Sequence, residues 1–536
     1  MANEKSRVQS TRRVFPATPR KNTTKTKLSI VDATAARFSP CGAIWFFDGT
    51  QDRDAKDPVL FERIELALRQ TLDDYPHYSG HIQWATADMV AGNINPRYVG
   101  RPVVIYGTVD DPGVELVVVQ DDRELASVVP DLNERATTKK VWVASDFPQD
   151  DFLASTVLAF SSLNEYVGLP GAAVQLTAFK CGGFAVSMKA THCLSDAMCL
   201  LQFVHSWAAH SRQLFDADAL SADGLKKKTR QKPIFNPAQL DEYARLSAPA
   251  AEPDRARISH ARSLPMHRYD WWATEAPGYP SWATTSTNAT KPTPEDLLQV
   301  ALSPSTQPPW LTWDLSAAVE HVQIRFGAGE VANMKRAAVE TLPVQGQTVS
   351  RQDALLAHVW TLINRARGLQ EDTEQVYLDI TLGLRNRLLP PLPEHFVGSP
   401  ILLAYVAQTG SAVTTAKIGA IASLIRSMMS QFTPQAVSDY LYDAAHEVSP
   451  QRLWQTFLGT RHVLVSSWAR AQAYQVDFCG TNQLARYVQG VMPKVDGLVQ
   501  IMDIAESGDF DVSLGLEKES MQRLLSDPLL RSFDDS

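Results

Sequence analysis

The stretch Phe184-Ala185-Val186-Ser187-Met188-Lys189-Ala190-Thr191-His192-Cys193-Leu194-Ser195-Asp196 decides how this chain is read. Phe184, Val186, Met188 and Ala190 alternate with Ala185, Ser187 and Lys189, the period of two that marks a strand with one buried face. His192 keeps the parity of the apolar set, so it leaves the strand on its buried side. Asp196 then precedes a helix expected over Ala197 to Ala209, with Leu200, Leu201, Val204 and Trp207 on its inner face. In an α/β sheet the crevice beyond a strand end is where reactive groups are placed. A neutral imidazole there can accept a proton near physiological pH. A His followed four residues later by an Asp also arises by chance, so this pattern gains its weight from the rest of the chain.

Patterned sequence extends outward on both sides. Leu60 to Leu72 carries apolar residues at 60, 64, 68 and 72, one stripe of a helix that ends before Tyr75-Pro76. Short β-like runs lie in Val103–Val119 and Val174–Ala190. Periodicity is lost between about Asp216 and Trp310, which holds 12 of the 32 prolines. That stretch reads as a long crossover connector, and Trp271, Trp272, Trp282 and Trp310 imply that parts of it pack onto a domain. Beyond it, Ser350 is a plausible N-cap for a helix through Arg367, Val376–Leu384 alternates as a strand, and a helix is expected around Thr414–Ser430. A strand ending near Val465, a tail strand Phe510–Leu514 and a helix from Glu517 to Leu525 complete the reading. The organisation expected is a disordered basic tail (1–27), an N-terminal α/β half (28–215), a Pro-rich connector (216–318) and a C-terminal α/β half (319–536).

Composition bounds the function. With 536 residues, 44% of them apolar and 21% charged, the chain has enough apolar surface for packed domains and no run long enough to span a bilayer. The net charge of −8 argues against a nucleic-acid partner. Cys41, Cys181, Cys193, Cys199 and Cys479 are scattered and odd in number, so neither a disulfide framework nor a zinc knuckle is indicated. The opening residues lack the apolar core of a secretory signal, and a cytoplasmic, monomeric protein is expected. His192, Cys193 and Cys199 lack an evident fourth ligand, so no metal site is expected.

Taken together, these segments resemble the BAHD acyltransferases, enzymes that use acyl-coenzyme A to acylate alcohols and amines of natural products. His192-Cys193-Leu194-Ser195-Asp196 is similar to the family's H-x-x-x-D signature. Leu28-Ser29-Ile30-Val31-Asp32 looks like its opening strand, and Leu68 through Gly80 like its following helix and turn. Ser350 to Arg367 resembles its "S..D.L.aHvW…RAR" helix. Arg385-Asn386-Arg387, Pro390 to Pro393 and Phe396 to Ser399 resemble its "RxR..PPLP…yfGN" stretch. Ser466-Ser467-Trp468 and Asp477-Phe478 look like its "TSW…DFGWG" pair. The sequence departs from the family at Cys479-Gly480-Thr481, where G-W-G is usual. The cast is that of the fungal natural-product branch. Thr191 and Ala197 stand where peptide-synthetase condensation domains have a second histidine and a glycine, which disfavours that relative.

The resemblance implies two chloramphenicol-acetyltransferase-like domains, each a mixed sheet flanked by helices, joined by a long crossover loop. It implies an O-acyltransferase that moves an acyl group, acetyl from acetyl-CoA being commonest, onto a hydroxyl of a small secondary metabolite, with no tightly bound cofactor. N-acylation by the same machinery, or an inactive relative that binds a metabolite or partner, are the alternatives. His192 is then the general base, Ser466 and Trp468 lie near the oxyanion, and Asp196 is structural, held by an Arg. Asp477 is expected to pair with Arg385 or Arg387. The run Lys226 to Lys232, with the N-terminal end of the Ser350 helix, is a weak candidate for the coenzyme A phosphates. A covalent acyl intermediate on Cys193 is disfavoured, because adjacent residues leaving a strand point apart. His77, His81, His205 and His358 read as structural or surface residues.

Overall fold

The computed structural model describes residues 6–49, 58–90, 97–144, 147–216, 232–246, 252–298, 301–344, 346–480 and 482–534. Two large mixed sheets organise them. The first has six strands in the order Ser6–Val14, Val114–Asp121, Ala172–Phe179, Phe184–Ala190, Cys41–Phe47 and Tyr487–Gly490. The second has seven, in the order Ile401–Thr409, Gln375–Gly383, His462–Ser467, Leu498–Asp503, Phe510–Glu517, Val319–Phe326 and Val141–Val143.

The parity read in Phe184–Ala190 holds on its inner face. Phe184, Val186, Met188 and Ala190 join one core with Leu200, Leu201, Val204 and Trp207 of the helix Ala197–Asp216 and with Leu60, Ile64, Leu68 and Leu72 of the helix Pro58–Asp74. The expectation of a single buried face is corrected. Ala185 and Ser187 are buried too, because a layer of rings from Phe46, Phe147, Phe152, Phe179 and Tyr487 covers the other side beside Ala185. Short residues at those positions leave room for that layer.

The halves are not separable at one point of the chain. Val141–Val143 pairs with Val319–Phe326 in the second sheet, and Tyr487–Gly490 pairs with Cys41–Phe47 in the first. Each half thus lends a strand to the other's sheet. Arg135 and Asp511 lock the exchange with a buried ion pair at 2.6 Å.

Three local expectations change. Residues 1–27 do not form a disordered tail where they are described. Ser6–Val14 pairs along Val114–Asp121, and Thr24–Lys27 along Pro102–Tyr106. Pro16 and Pro19 fall between these strands, where a helix breaker does no harm, and the basic side chains suit an exposed edge. Leu28–Asp32 is not a strand: Ser29 caps a short helix, Ile30–Thr34, in a capping box with Asp32. The helix expected around Thr414–Ser430 is broken into Gly410–Thr415 and Ile418–Gln431, because Ala416 and Lys417 are extended and Gly419 N–H donates to Thr341 Oγ1 at 3.0 Å. The connector packs onto the domains, as expected, and touches both halves: Arg257 and Arg262 of the helix Arg255–Ser263 bind Asp439 and Asp443 at 2.7 and 2.8 Å, while Asp241 binds Arg101 at 2.6 Å and Phe235 stacks on His77. Trp271, Trp272 and Trp310 are buried around Phe457, as their number implied, while Trp282 stays exposed.

Candidate active site

The strand Phe184–Ala190 delivers its chain to a tight turn, His192–Leu194, between the two sheets. Thr191 fixes the approach through both its amide, which donates to Gly171 O at 2.9 Å, and its hydroxyl, which donates to Ala159 O at 2.7 Å. The His192 ring then stands edge to face with Phe38, centroids 5.3 Å apart, with Nδ1 3.3 Å from Ser399 Oγ. Nε2 makes no hydrogen bond within the protein among the described residues, and the ring lines a cavity of about 630 Å³. Burial lowers the His192 pKa, opposed by the ring's contact with its own backbone carbonyl and by the charge of Asp196. The imidazole is therefore neutral at pH 7, with one nitrogen oriented and the other open.

Asp196 does not touch that ring. Its Oδ1 caps the helix Ala197–Asp216 by accepting from Cys199 N at 2.8 Å. Its carboxylate also receives both Nη atoms of Arg385, at 2.6 and 3.0 Å, while its own amide donates to Gly398 O at 3.2 Å. Arg385 is thus the arginine of Asp196, and the expected pairing of Asp477 with Arg385 or Arg387 is overturned. Arg387 donates to the carbonyls of Met429 and Phe432. Asp477 accepts the amides of Cys479, Gly480 and Asn482 at 2.9 to 3.0 Å, folding its loop around its own carboxylate. Three backbone donors already satisfy the charge, so no arginine is needed. Gly480, at φ +74°, and Asn482, at φ +55°, are left-handed residues of that loop. Cys479, the departure from the family pattern, accommodates the turn without one.

Two contributors were missed. Ser399, fully buried, holds His192 Nδ1, and its amide donates to Asp32 Oδ1 at 2.6 Å. Burial raises the Asp32 carboxyl to about 6 against the hydrogen bonds from Ser29 and Ser399. Gly398, in the family-like stretch before Ser399, was the one sequence hint, and the structure gives its reason: at φ +146°, with any Cβ 2.9 Å from Asp32 Oδ1, that position requires glycine.

The opposite wall comes from the second sheet. Ser466, near the end of His462–Ser467, and Trp468, just beyond it, both line the cavity, and the Trp468 indole N–H donates to Ser466 Oγ at 3.2 Å. The indole proton is therefore spent on the serine, leaving the hydroxyl proton free to turn elsewhere. Gln500, opposite Ser466 in the next strand, also lines the cavity and was not anticipated. Cys193 is buried away from the cavity lining, and burial together with the nearby Asp32 holds its thiol far above the ordinary range, which disfavours an acyl-cysteine. Ser350 lies outside the cavity lining. It caps Arg351–Ala366 in a reciprocal box with Asp353, which puts a carboxylate at that helix end. Of the run Lys226 to Lys232, residues 226–231 lie outside the described residues. His77 and His358 are buried structural residues, as read; His205 and His81 are partly buried.

One group of described residues has donors converging as a metal would require. His267, Asp379 and His462 are all buried, with ligand atoms within 4.8 Å of one another. The imidazoles stand 3.1 and 2.9 Å from the carboxylate. Burial pushes the Asp379 pKa up, but the hydrogen bonds and charge of these two rings hold it below the usual carboxylate value.

The cavity with its half-free histidine lies between the two sheets, and comparisons with known proteins identify the class of protein it belongs to. The profile of the Transferase family matches residues 136–262 and 279–529, and the chain belongs to this family, the BAHD-type acyl-CoA-dependent acyltransferases. It is 25% identical over 493 residues to the acyltransferase AFT15-1 of Alternaria alternata, covering 89% of this chain and 88% of that protein. It is 23% identical over 455 residues to the acyltransferase abl6 of Leptosphaeria maculans, covering 84% and 82% respectively. Among solved structures, TRI101 of F. graminearum in complex with coenzyme A and T-2 mycotoxin has the same fold, with a TM-score of 0.66 at 15% identity over 95% of this chain and 98% of that one. Vinorine synthase matches at a TM-score of 0.58 and 14% identity, over 97% and 96%. Two chloramphenicol-acetyltransferase-like halves, as the sequence implied, are the architecture.

Proposed function

We propose that the protein transfers an acyl group, acetyl foremost, from acyl-CoA to a hydroxyl of a small natural product by direct transfer, with His192 as general base. The observation that carries this reading is the open Nε2 of His192 in a cavity of about 630 Å³ whose facing wall holds Ser466 and Trp468. That volume suits a small-molecule acceptor together with the reacting end of a thioester. TRI101, which shares the fold, was crystallised with coenzyme A and a mycotoxin, and this supports the pairing of donor and acceptor.

Nε2 takes the acceptor's O–H proton as the oxygen attacks the thioester carbon. Nδ1, engaged with Ser399, keeps the ring in the plane this requires. The tetrahedral oxyanion receives the Ser466 hydroxyl proton as a hydrogen bond, while Trp468 N–H holds the serine oxygen from behind. As the intermediate collapses, the C–S bond breaks and the proton on Nε2 passes to the departing thiolate. Asp196 and Arg385 are positioning residues, since both act on the loop and neither touches the ring. The altered Asp477 loop is absent from the cavity lining, which favours an active enzyme over an inactive relative.

The test is release of free coenzyme A thiol from acetyl-CoA with a panel of hydroxylated natural products, product mass being read in parallel. His192→Ala is expected to lower turnover by about 10²–10⁴-fold. Full activity in that variant would refute the assignment.

A further inference from the structure

The geometry points to a subsite for a substrate carboxylate at Arg37, in the same cavity. Arg37 lies next to Phe38, the ring that touches His192, and both line the cavity. Its guanidinium lies over the face of Trp271, Cζ to centroid 4.3 Å, and Nη2 donates to the carbonyl of Gln451 at 2.5 Å. Nη1 is buried with no hydrogen-bond partner among the described residues. Among the described residues no carboxylate pairs with it.

That sets the half-buried Arg37 apart from the arginines that enter the core beside an acid. Arg101 has Asp241 at 2.6 Å, Arg135 has Asp511 at 2.6 Å, Arg385 has Asp196 at 2.6 Å and Arg452 has Asp270 at 2.9 Å. Arg387, part-buried without an acid, instead gives its Nη1 to two backbone carbonyls. Stacking on one indole is a weak contact, whereas a charged donor buried without an acceptor carries a larger penalty than a neutral one. Such a cation is retained where an anion completes it. The planar fork suits a carboxylate, and Trp271, Trp282 and Trp454, which line the same cavity, suit an apolar skeleton attached to it. The ligand class is an acyl acceptor, or an acyl group, that carries a carboxylate beside its apolar body.

This inference rests on the acyl-transfer reading, so binding and turnover are measured separately. Calorimetry on the full chain with coenzyme A present compares mandelate and ω-hydroxydecanoate with their methyl esters. Malonyl-CoA is compared with acetyl-CoA in the same way. The carboxylate of at least one pair is expected to favour binding by about tenfold or more. Arg37→Met is expected to erase that preference while leaving coenzyme A affinity unchanged, and Arg37→Lys to keep part of it. Preference within the acceptor pairs places the carboxylate on the acceptor, and preference for malonyl-CoA places it on the acyl group. Equal binding of acids and esters together with equal binding of the two thioesters overturns the proposal, even if Arg37→Met fails to fold. A loss of coenzyme A affinity in Arg37→Met also overturns it, since the cation would then serve a phosphate. Full turnover in His192→Ala would remove the acyl-transfer reading and leave the binding result to stand by itself.

Discussion

Arg385 grips both oxygens of Asp196 across the junction of the two halves: the arginine follows the strand Gln375–Gly383 of the second sheet, and the aspartate caps the helix that follows His192. Burial works against the guanidinium's charge, but Asp196 outweighs it and raises its pKa. Removing one partner leaves the other charge buried alone, which costs about 3–5 kcal/mol. Asp196→Ala and Arg385→Met are each expected to lose stability in that range, and the double variant much less than the sum. Urea unfolding of the four proteins checks this, and strict additivity would show that the pair is not coupled.

Much of this junction could be read from residue order, and part of it could not. Alternation in Phe184–Ala190 and the helix signals after Asp196 are local, so the strand, the turn and the side on which His192 emerges were legible. The helix capped by Ser350 was legible for the same reason. That an arginine holds Asp196 was implied by the resemblance, but which arginine was not, and the partners of Asp477 were misassigned, because a carboxylate is satisfied equally by a guanidinium or by backbone amides, and only folding decides which arrives. Ser399 and Asp32 fall in family-like stretches, but they lie far from His192 in sequence and nothing in residue order places them beside its ring. The Ser6–Val14 edge strand was hidden because its exposed positions follow solvent and not a core period.

Ser399→Ala removes the one side chain that holds His192 Nδ1. A neutral hydrogen bond contributes about 0.5–1.5 kcal/mol, so kcat is expected to fall about two- to tenfold with little change in KM. Steady-state kinetics with acetyl-CoA and an accepted alcohol would show it; a rise in KM alone would mean that Ser399 acts in binding and not in orienting the base.

The pH profile follows from burial of the base. A His192 pKa lowered from its ordinary value keeps the imidazole neutral, and so competent, further into acid. The acid limb of kcat/KM is therefore expected to break below the unperturbed value of about 6.5. A break above it would mean that the charged form is stabilised in the free enzyme.

Ser466 and Trp468 act in series if the indole holds the serine oxygen. Ser466→Ala is expected to reduce kcat by up to about 10²–10³-fold, the loss typical of one oxyanion donor. Trp468→Phe should lose less, and the double variant should be no slower than Ser466→Ala. Multiplicative losses would instead make the two groups independent donors.

His77 tests how acid acts on the fold itself. Its ring is buried, stacked on Phe235 at 4.0 Å, and neither ring nitrogen has a partner. Burial lowers its pKa to about 3, and His321 and His358 are lowered to about 4 in the same way. Each folded-state value lies below the unfolded one of about 6.5, so below that pH the unfolded chain takes up protons that the folded protein refuses. Stability is thus complete above pH 6.5 and declines as the pH falls towards 4 and below, by up to about 1.4 kcal/mol per pH unit for each such histidine. His77→Phe replaces two unmet polar atoms with carbon in the same ring shape. It is expected to gain about 1–2 kcal/mol at neutral pH and to flatten the acid decline by one proton's worth. Urea unfolding of both proteins at pH 7.5 and pH 5, about one unit or more either side of 6.5, reads both effects. An unchanged acid slope in the variant would mean that His77 is already charged, or partnered, in the folded protein.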